Sequence, residues 1–205
     1  MFGQLFNALV RKKSRVIRIF QIFWIVIIIG FYFALNSLFS QSSSYLFWYG
    51  IAVLSGKTSL IFFVITLTPG IFNRFLIRNR LLGLIRIFRR QFGITMFLLA
   101  AFHGIIVSLL PTLLKGPPFQ VAPFQLFGTL SLLLLFFLFV TSNDISEKLL
   151  KVWWFRLHRL VYIIMWFILF HVALQRLSIW TAIASVLVIS ELAGIIYSKL
   201  SKKES

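Results

Sequence analysis

The chain has 205 residues, of which 60% are hydrophobic, 18% aromatic and only 12% charged. Soluble domains carry roughly 25% charged residues, so this composition excludes a soluble globular protein and a disordered chain. The absence of cysteine excludes disulfides, zinc–thiolate and iron–sulfur sites and cysteine nucleophiles. The formal net charge of +17 would suggest nucleic acid in a soluble protein. Because the basic residues lie between apolar segments, we expect a membrane protein that binds no nucleic acid.

Apolar segments long enough to cross a bilayer, which requires about 20 residues, occur six times along the chain. Backbone polar groups in lipid must bond within their own segment, so we expect these segments to be helices. The predicted fold class is all-α, a polytopic membrane protein with a single domain, 1–205, built as a six-helix bundle. The predicted spans are 16–38, a segment within 45–72, 91–110, 123–141, 152–174 and 179–197.

The second apolar segment is longer than one crossing needs. At about 28 residues it would form about 42 Å of helix, against a hydrocarbon core of about 30 Å. A Ser-Gly-Lys sequence at 55–57 interrupts it. We therefore expect an interfacial piece at 45–54 and a membrane span that begins near Thr58.

The lysines and arginines predict the orientation. Of the 21 Lys and Arg residues, all but Lys57, Lys115 and Arg176 fall on one side of this arrangement, including Lys202 and Lys203 in the tail. Positive residues favour the cytoplasmic side. We expect both termini in the cytoplasm, an even number of crossings of the inner (plasma) membrane, and contact between much of this charge and the headgroups of the lipid bilayer.

All three histidines lie within or at the edge of predicted spans. Placing an imidazole in hydrocarbon is costly, so each is a candidate for a functional site; the alternative is a histidine bonded to a neighbouring helix. His103 lies about 12 Å and His171 about 8 Å from the outer ends of the third and fifth spans. Both are in the outer half of the membrane, where they could face each other.

Two imidazoles that face each other across a helix bundle indicate a particular metal site. They are the usual axial ligands of a b-type haem, whose iron then carries electrons and binds no substrate. A chain without cysteine and with four acidic residues suits this redox chemistry best. The small residues Ala100, Ala101 and Gly104 would leave room for the macrocycle, or they serve ordinary close helix packing.

His158 lies at a different depth from the other two histidines. It is about 20 Å nearer the cytoplasm than His171 and, on an ideal helix, about 140° away in azimuth. Helix tilt or a π-bulge would have to close that angle. At the matching depth of the third span stands Arg89, which offers no lone pair to iron. A second haem with two histidine ligands therefore has no complete ligand set.

The residues around these histidines form several motifs. They are RRQFG at 89–93 with His103, TSN at 141–143, WFRLHRLVY at 154–162 with His171, and, in the second span, GKT at 56–58 with TP at 68–69. Over about residues 50–175 the chain resembles the ferric reductase-like transmembrane domains. The second-span motifs are similar to those of the bacterial branch, the haem-binding membrane subunit of the periplasmic methionine sulfoxide reductase system (MsrQ).

The resemblance implies a six-helix haem b protein that passes electrons outward across the membrane. Carried over residue by residue, His103 and His171 match the outer axial pair. His158 matches the fifth-helix half of an inner pair, whose other position holds Arg89. One haem b is expected, and a second haem held through His158 or an FMN at that level remains open.

The expected partners follow from the same resemblance. The chain contains no Gly-x-Gly-x-x-Gly after a strand and no soluble domain for flavin or nicotinamide, so we expect electrons from a separate cytosolic flavin reductase or from quinol. The reductase would dock on the basic cytoplasmic face, where Arg89 and Arg156 would also neutralise inner propionates. The acceptor would be a periplasmic or extracellular redox protein or ferric iron.

A second class of function uses the same polar groups. A channel or transporter without redox chemistry would also place histidines and arginines inside the membrane, and a Soret band in the purified protein would discriminate between the two classes. Glu191 within the sixth span is unassigned: it pairs with a lysine or a histidine N–H, or it is protonated.

Overall fold

The computed structural model describes residues 2–118 and 120–201. Every regular element in these two ranges is a helix. The elements are α1 (Phe2–Arg11), α2 (Lys13–Phe39), α3 (Tyr45–Arg74), α4 (Arg80–Ile87), α5 (Arg89–Gly104), a π-helical turn (Ile105–Leu109), α6 (Leu110–Leu114), α7 (Pro123–Val140), α8 (Asp144–Leu150), α9 (Val152–His158), α10 (Val161–Gln175) and α11 (Ile179–Ser201).

Six helical segments are long and apolar enough to cross a membrane. They are α2, α3, the continuous segment Arg89–Leu114, α7, the segment Val152–Gln175 and α11. The predicted all-helical, six-span architecture is thus confirmed, and the chain is a multi-pass membrane protein. Lys202 and Lys203, which the sequence places in the basic tail, lie outside the described residues.

The second span differs from its prediction. α3 is one unbroken helix over Tyr45–Arg74, so the predicted interfacial piece and the start near Thr58 are wrong. The polar sequence at 55–57 causes no break because Ser55 turns its hydroxyl back onto the helix and donates to the carbonyl of Ala52 at 2.7 Å. A polar side chain satisfied in this way is tolerated inside a membrane helix.

The third span is longer than predicted. Its helix continues through Pro111 to Leu114, so the predicted end at residue 110 is wrong. Proline has no N–H for the carbonyl four residues earlier, and the backbone widens into the π-helical turn Ile105–Leu109 just before it. Such turns often occur at functional sites, and this one begins two residues after His103.

Two helix pairs form the centre of the bundle. α3 packs most extensively against α5, and α7 against α10; α5 also contacts α7, while α11 lies against α3 and α10. Each of these five helices contributes to the buried core, which includes Phe63, Phe97, Leu135, Ile164 and Leu187. α2 lies at the edge, where Trp24 donates an indole hydrogen bond to Thr95 of α5 at 2.8 Å.

The connections between spans define two ends of the bundle. We call the basic end the one formed by residues 75–88 and 141–151, and the opposite end the one formed by residues 40–44, 115–122 and 176–178. Because the spans alternate in direction, α1 and the end of α11 lie at the basic end.

Candidate functional site

His103 and His171 lie side by side in the interior of the bundle. Their ring centroids are 6.3 Å apart and their ring planes are inclined by 74°. His103 is on α5 and His171 on α10, so each of the two central helix pairs supplies one imidazole. The structure therefore brings together the two histidines that the sequence places at a common depth, while their role as ligands stays a prediction.

The ring of His103 is held against α3. Its Nδ1 lies 3.1 Å from the carbonyl oxygen of Ala52. One helical turn further along α3, a Cβ at Gly56 would be 2.6 Å from Cγ of the same ring. Atoms do not approach that closely, so only glycine fits beneath this imidazole.

The ring of His171 is held against α7 in the same manner. Its Nδ1 lies 2.7 Å from the carbonyl oxygen of Phe124. One turn further along α7, a Cβ at Gly128 would be 2.7 Å from Nδ1. From the sequence, Gly56 was assigned to a break and to the GKT motif, and Gly128 was not singled out. A glycine one turn after a hydrogen-bond acceptor is informative only when the facing helix is known.

The two hydrogen bonds determine which ring nitrogens are free. A carbonyl oxygen only accepts, so each Nδ1 carries the proton and each Nε2 keeps its lone pair. No cluster of three or more His, Cys, Asp or Glu occurs in the described part of the chain. A two-imidazole donor set fits a haem, whose macrocycle supplies the remaining ligands.

The small residues next to His103 take part in contacts between helices. A Cβ at Gly104 would be 3.1 Å from the side chain of Leu132 on α7, and Ala100 and Ala101 pack against the main core. These contacts agree with close helix packing, while room for a macrocycle stays a prediction.

His158 lies apart from the other two histidines. Its ring stacks on Trp154 with centroids 4.0 Å apart, and its Nε2 lies 3.2 Å from the hydroxyl of Thr141. The fifth span is broken between α9 and α10 at Arg159 and Leu160. The angle of about 140° between His158 and His171 was calculated for one continuous ideal helix. Because the helix is interrupted between the two residues, that angle does not apply to them. The interruption is neither a tilt nor a π-bulge.

Arg89 and Arg156 are both exposed near the basic end. The guanidinium of Arg156 lies 4.7 Å from the ring centroid of Trp153, a cation–π contact. Within residues 2–118 and 120–201, neither arginine forms an ion pair with a carboxylate. The structure brings neither of them to His103 and His171, and their roles beside a cofactor stay predictions.

A buried ion pair resolves the question of Glu191. Its carboxylate lies 2.5 Å from Nη2 of Arg74, and the same nitrogen donates to the hydroxyl of Tyr162 at 3.1 Å. The partner is thus an arginine and not the lysine or histidine considered from sequence. Arg74 was missed because it occupies the last turn of α3, and the sequence assigns that region to a basic connection.

A second ion-pair cluster lies on the surface of the basic end. Arg90 donates to Asp144 at 2.6 Å and to Glu147 at 3.2 Å, and Asn143 caps α8 by accepting from the Ser146 N–H. The hydrogen bond from Arg90, together with its charge, holds the pKa of Asp144 below its ordinary value. Arg90 thereby fastens α8 to the start of α5.

The fold and the site define a class of protein: a multi-pass helical membrane protein with two imidazoles facing each other in its interior. Residues 55–170 match the family model described as ferric reductase like transmembrane component. The match covers more than half of the chain, and the chain belongs to this family, as the resemblance predicted. It includes His103 and His158 and ends at the residue before His171. No curated protein and no solved structure matches the chain.

Proposed function

We propose that this protein is a haem b-containing membrane subunit that transfers electrons across the bilayer. Membership of the ferric reductase-like family supports a membrane electron-transfer role. The observation that carries the proposal is the pair of imidazoles of His103 and His171, 6.3 Å apart inside the bundle. A b haem held by two imidazoles exchanges single electrons and binds no substrate at its iron.

The chain's own residues prepare this site. The carbonyls of Ala52 and Phe124 fix the tautomer and direction of the two rings, which is the usual task of groups just outside a metal's ligands. The third span also contributes a buried apolar cluster, in which Ile106 is fully buried and packs with Ala52, Leu99 and Phe102. They exclude water and keep the local dielectric low.

The second part of the proposal concerns His158. It is a candidate to hold a further cofactor, a second haem or FMN, and Arg89 and Arg156 are suited to neutralise the propionates or phosphate of that group. Because the chain has three histidines, any such cofactor would be held by one imidazole at most. We propose that it is held more loosely than the group at His103 and His171.

The direction of transfer follows from the charge. The basic end carries the exposed arginines Arg80 and Arg86, and positive residues favour the cytoplasmic side. We therefore place the donor, a cytosolic flavin reductase or quinol, at the basic end. We place the acceptor at the opposite end, on the periplasmic side of the inner membrane. It is ferric iron or a periplasmic redox protein such as a methionine sulfoxide reductase.

A channel or transporter is less well supported. In the part of the chain that the structure describes, the intramembrane carboxylate of Glu191 is neutralised by Arg74, and His103 and His171 are bonded to backbone carbonyls. Polar groups with such partners serve to hold helices together, which supports a channel or transporter less than a redox subunit.

The proposal is tested on the purified protein. We expect near one haem b per chain with a low-spin spectrum, and loss or strong change of that spectrum in His103→Ala and in His171→Ala. Ser131→Ala is a suitable control, because Ser131 bonds only to the backbone of its own helix at Phe127. Wild-type spectrum and haem content in both histidine variants would contradict the proposal.

A further inference from the structure

Each histidine of the central pair rests on a neighbouring helix through two backbone features one turn apart. On α3 these are the carbonyl of Ala52 and the missing Cβ of Gly56. On α7 they are the carbonyl of Phe124 and the missing Cβ of Gly128. The same arrangement, carbonyl at one position and glycine four residues later, therefore occurs on two different helices and holds two different rings.

We propose that Gly56 and Gly128 are positioning residues, which set the orientation of the two imidazoles before any cofactor is bound. This inference rests on the proposed function, because it assigns a role to the glycines in haem ligation. Neither glycine contacts the reacting atoms. Each acts through the histidine that lies on it.

The contacts explain why alanine cannot replace either glycine without moving a ring. A Cβ at Gly56 would meet three atoms of the His103 ring at 2.6, 2.7 and 2.9 Å. A Cβ at Gly128 would meet Nδ1 and Cε1 of His171 at 2.7 and 2.9 Å. The ring is rigid, so it must swing or shift as a whole. That movement takes Nδ1 away from its carbonyl acceptor and changes the direction in which the lone pair of Nε2 points.

The same contacts set the angle between the two rings. His103 takes its orientation from α3 and His171 from α7, and the resulting ring planes differ by 74°. Each ring is fixed by its own helix pair, so we expect the angle to persist when haem is bound. Near-perpendicular imidazoles give low-spin ferric haem a highly anisotropic EPR signal with one large g value, whereas near-parallel imidazoles give a rhombic signal.

The chain offers matched controls for this inference. Gly70 lies on α3, the helix of Gly56, and Gly93 lies on α5, the helix of His103; a Cβ at either position meets nothing within 4 Å. Alanine is the better helix former, so none of these substitutions weakens its helix. A difference between Gly56→Ala and Gly70→Ala therefore reports on the histidine contact.

The experiment compares wild type, Gly56→Ala, Gly128→Ala, Gly70→Ala and Gly93→Ala in haem affinity, ferric EPR and midpoint potential. We expect the anisotropic signal in wild type and both controls. In Gly56→Ala and Gly128→Ala we expect haem affinity to fall about 10- to 100-fold, as for changes to groups that orient metal ligands, and the residual haem to have altered g values and potential. A contact that only stabilises the fold would leave the g values of the residual haem unchanged.

Two results would overturn the inference while leaving the proposed function intact. One is a rhombic EPR signal in wild-type protein whose haem depends on His103 and His171. The other is wild-type affinity and g values in both Gly56→Ala and Gly128→Ala. If these variants are not recovered folded, the wild-type EPR signal decides. Wild-type protein that binds no haem would overturn the proposed function and this inference with it.

Discussion

The carboxylate of Glu191 and the guanidinium of Arg74 form an ion pair at 2.5 Å inside the bundle. The pair joins α11 to α3, and the hydrogen bond from Arg74 to Tyr162 extends it to α10. A Cβ at Gly194, nearly one turn after Glu191, would lie 3.1 Å from the Arg74 side chain, so the arginine is enclosed on that side. Three of the five core helices are thereby fixed to one another by a single side chain.

This pair predicts unequal effects of removing its two partners. The Glu191 side chain is 4% exposed and the Arg74 side chain 27% exposed. A charge left without its partner is therefore more costly in free energy at Glu191 than at Arg74. Arg74→Met should lower the free energy of unfolding by about 3 kcal/mol or more, and Glu191→Gln by less. Denaturation in detergent, followed by circular dichroism, measures both values. Equal losses would contradict the greater dependence of Glu191 on its partner, and no loss in Arg74→Met would show that the pair does not hold the bundle together.

The contact of Arg90 with Asp144 predicts a pH-dependent local stability of α8. The pKa of Asp144 is lowered from its ordinary 3.8, chiefly by the hydrogen bond from Arg90. A lowered folded-state pKa means that the stabilisation is present above 3.8 and is lost as the pH falls through the lower value. Amide hydrogen exchange of α8 should therefore be faster in Asp144→Asn than in wild type at pH 7, with the difference disappearing in acid. A difference that persists below the folded-state pKa would argue against this ion pair.

The surroundings of His158 lead us to predict one haem per chain. Its ring is stacked on Trp154 and bonded to Thr141, and the chain has no fourth histidine to pair with it. His158→Gln should keep the spectrum that depends on His103 and His171 and a haem content near one per chain. Haem analysis of the purified variant checks this. Loss of one equivalent of haem, with slower reduction of the remaining one, would contradict this stoichiometry and identify the further cofactor at His158 as a second haem.

The basic end predicts salt-sensitive docking of a reductase. Arg80 and Arg86 on α4 are exposed, and attraction between exposed charges is screened beyond about 10 Å at 0.1 M salt. The rate at which a soluble flavin reductase reduces the haem should fall as ionic strength rises, and should fall further in Arg80→Glu and Arg86→Glu. Lys115→Glu and Arg176→Glu, at the opposite end, are the controls. A rate that ignores salt would mean that these charges serve membrane orientation alone.

The six spans and the common depth of His103 and His171 could be predicted from the sequence. Hydropathy over about 20 residues identifies a span, and residue count along a helix gives depth. Both are properties of one segment at a time. The unbroken α3 could not be predicted in the same way, because the hydroxyl of Ser55 is satisfied by its own helix although the residue looks like part of a turn.

The remaining features depend on which helices are neighbours. Gly56 and Gly128 matter because α3 lies against His103 and α7 against His171, and the partner of Glu191 is more than a hundred residues away in the sequence. No local pattern contains this information.

The most direct test of the central claim measures electron transfer across the bilayer. Haem-loaded protein is reconstituted in vesicles that contain trapped ferricyanide, and a soluble flavin reductase with NADH is added outside. We predict that wild-type protein with its basic end outward reduces the trapped ferricyanide, and that His103→Ala and His171→Ala do not. Trapped ferricyanide that is reduced equally well by both variants, or not at all by haem-loaded wild type, would contradict the account.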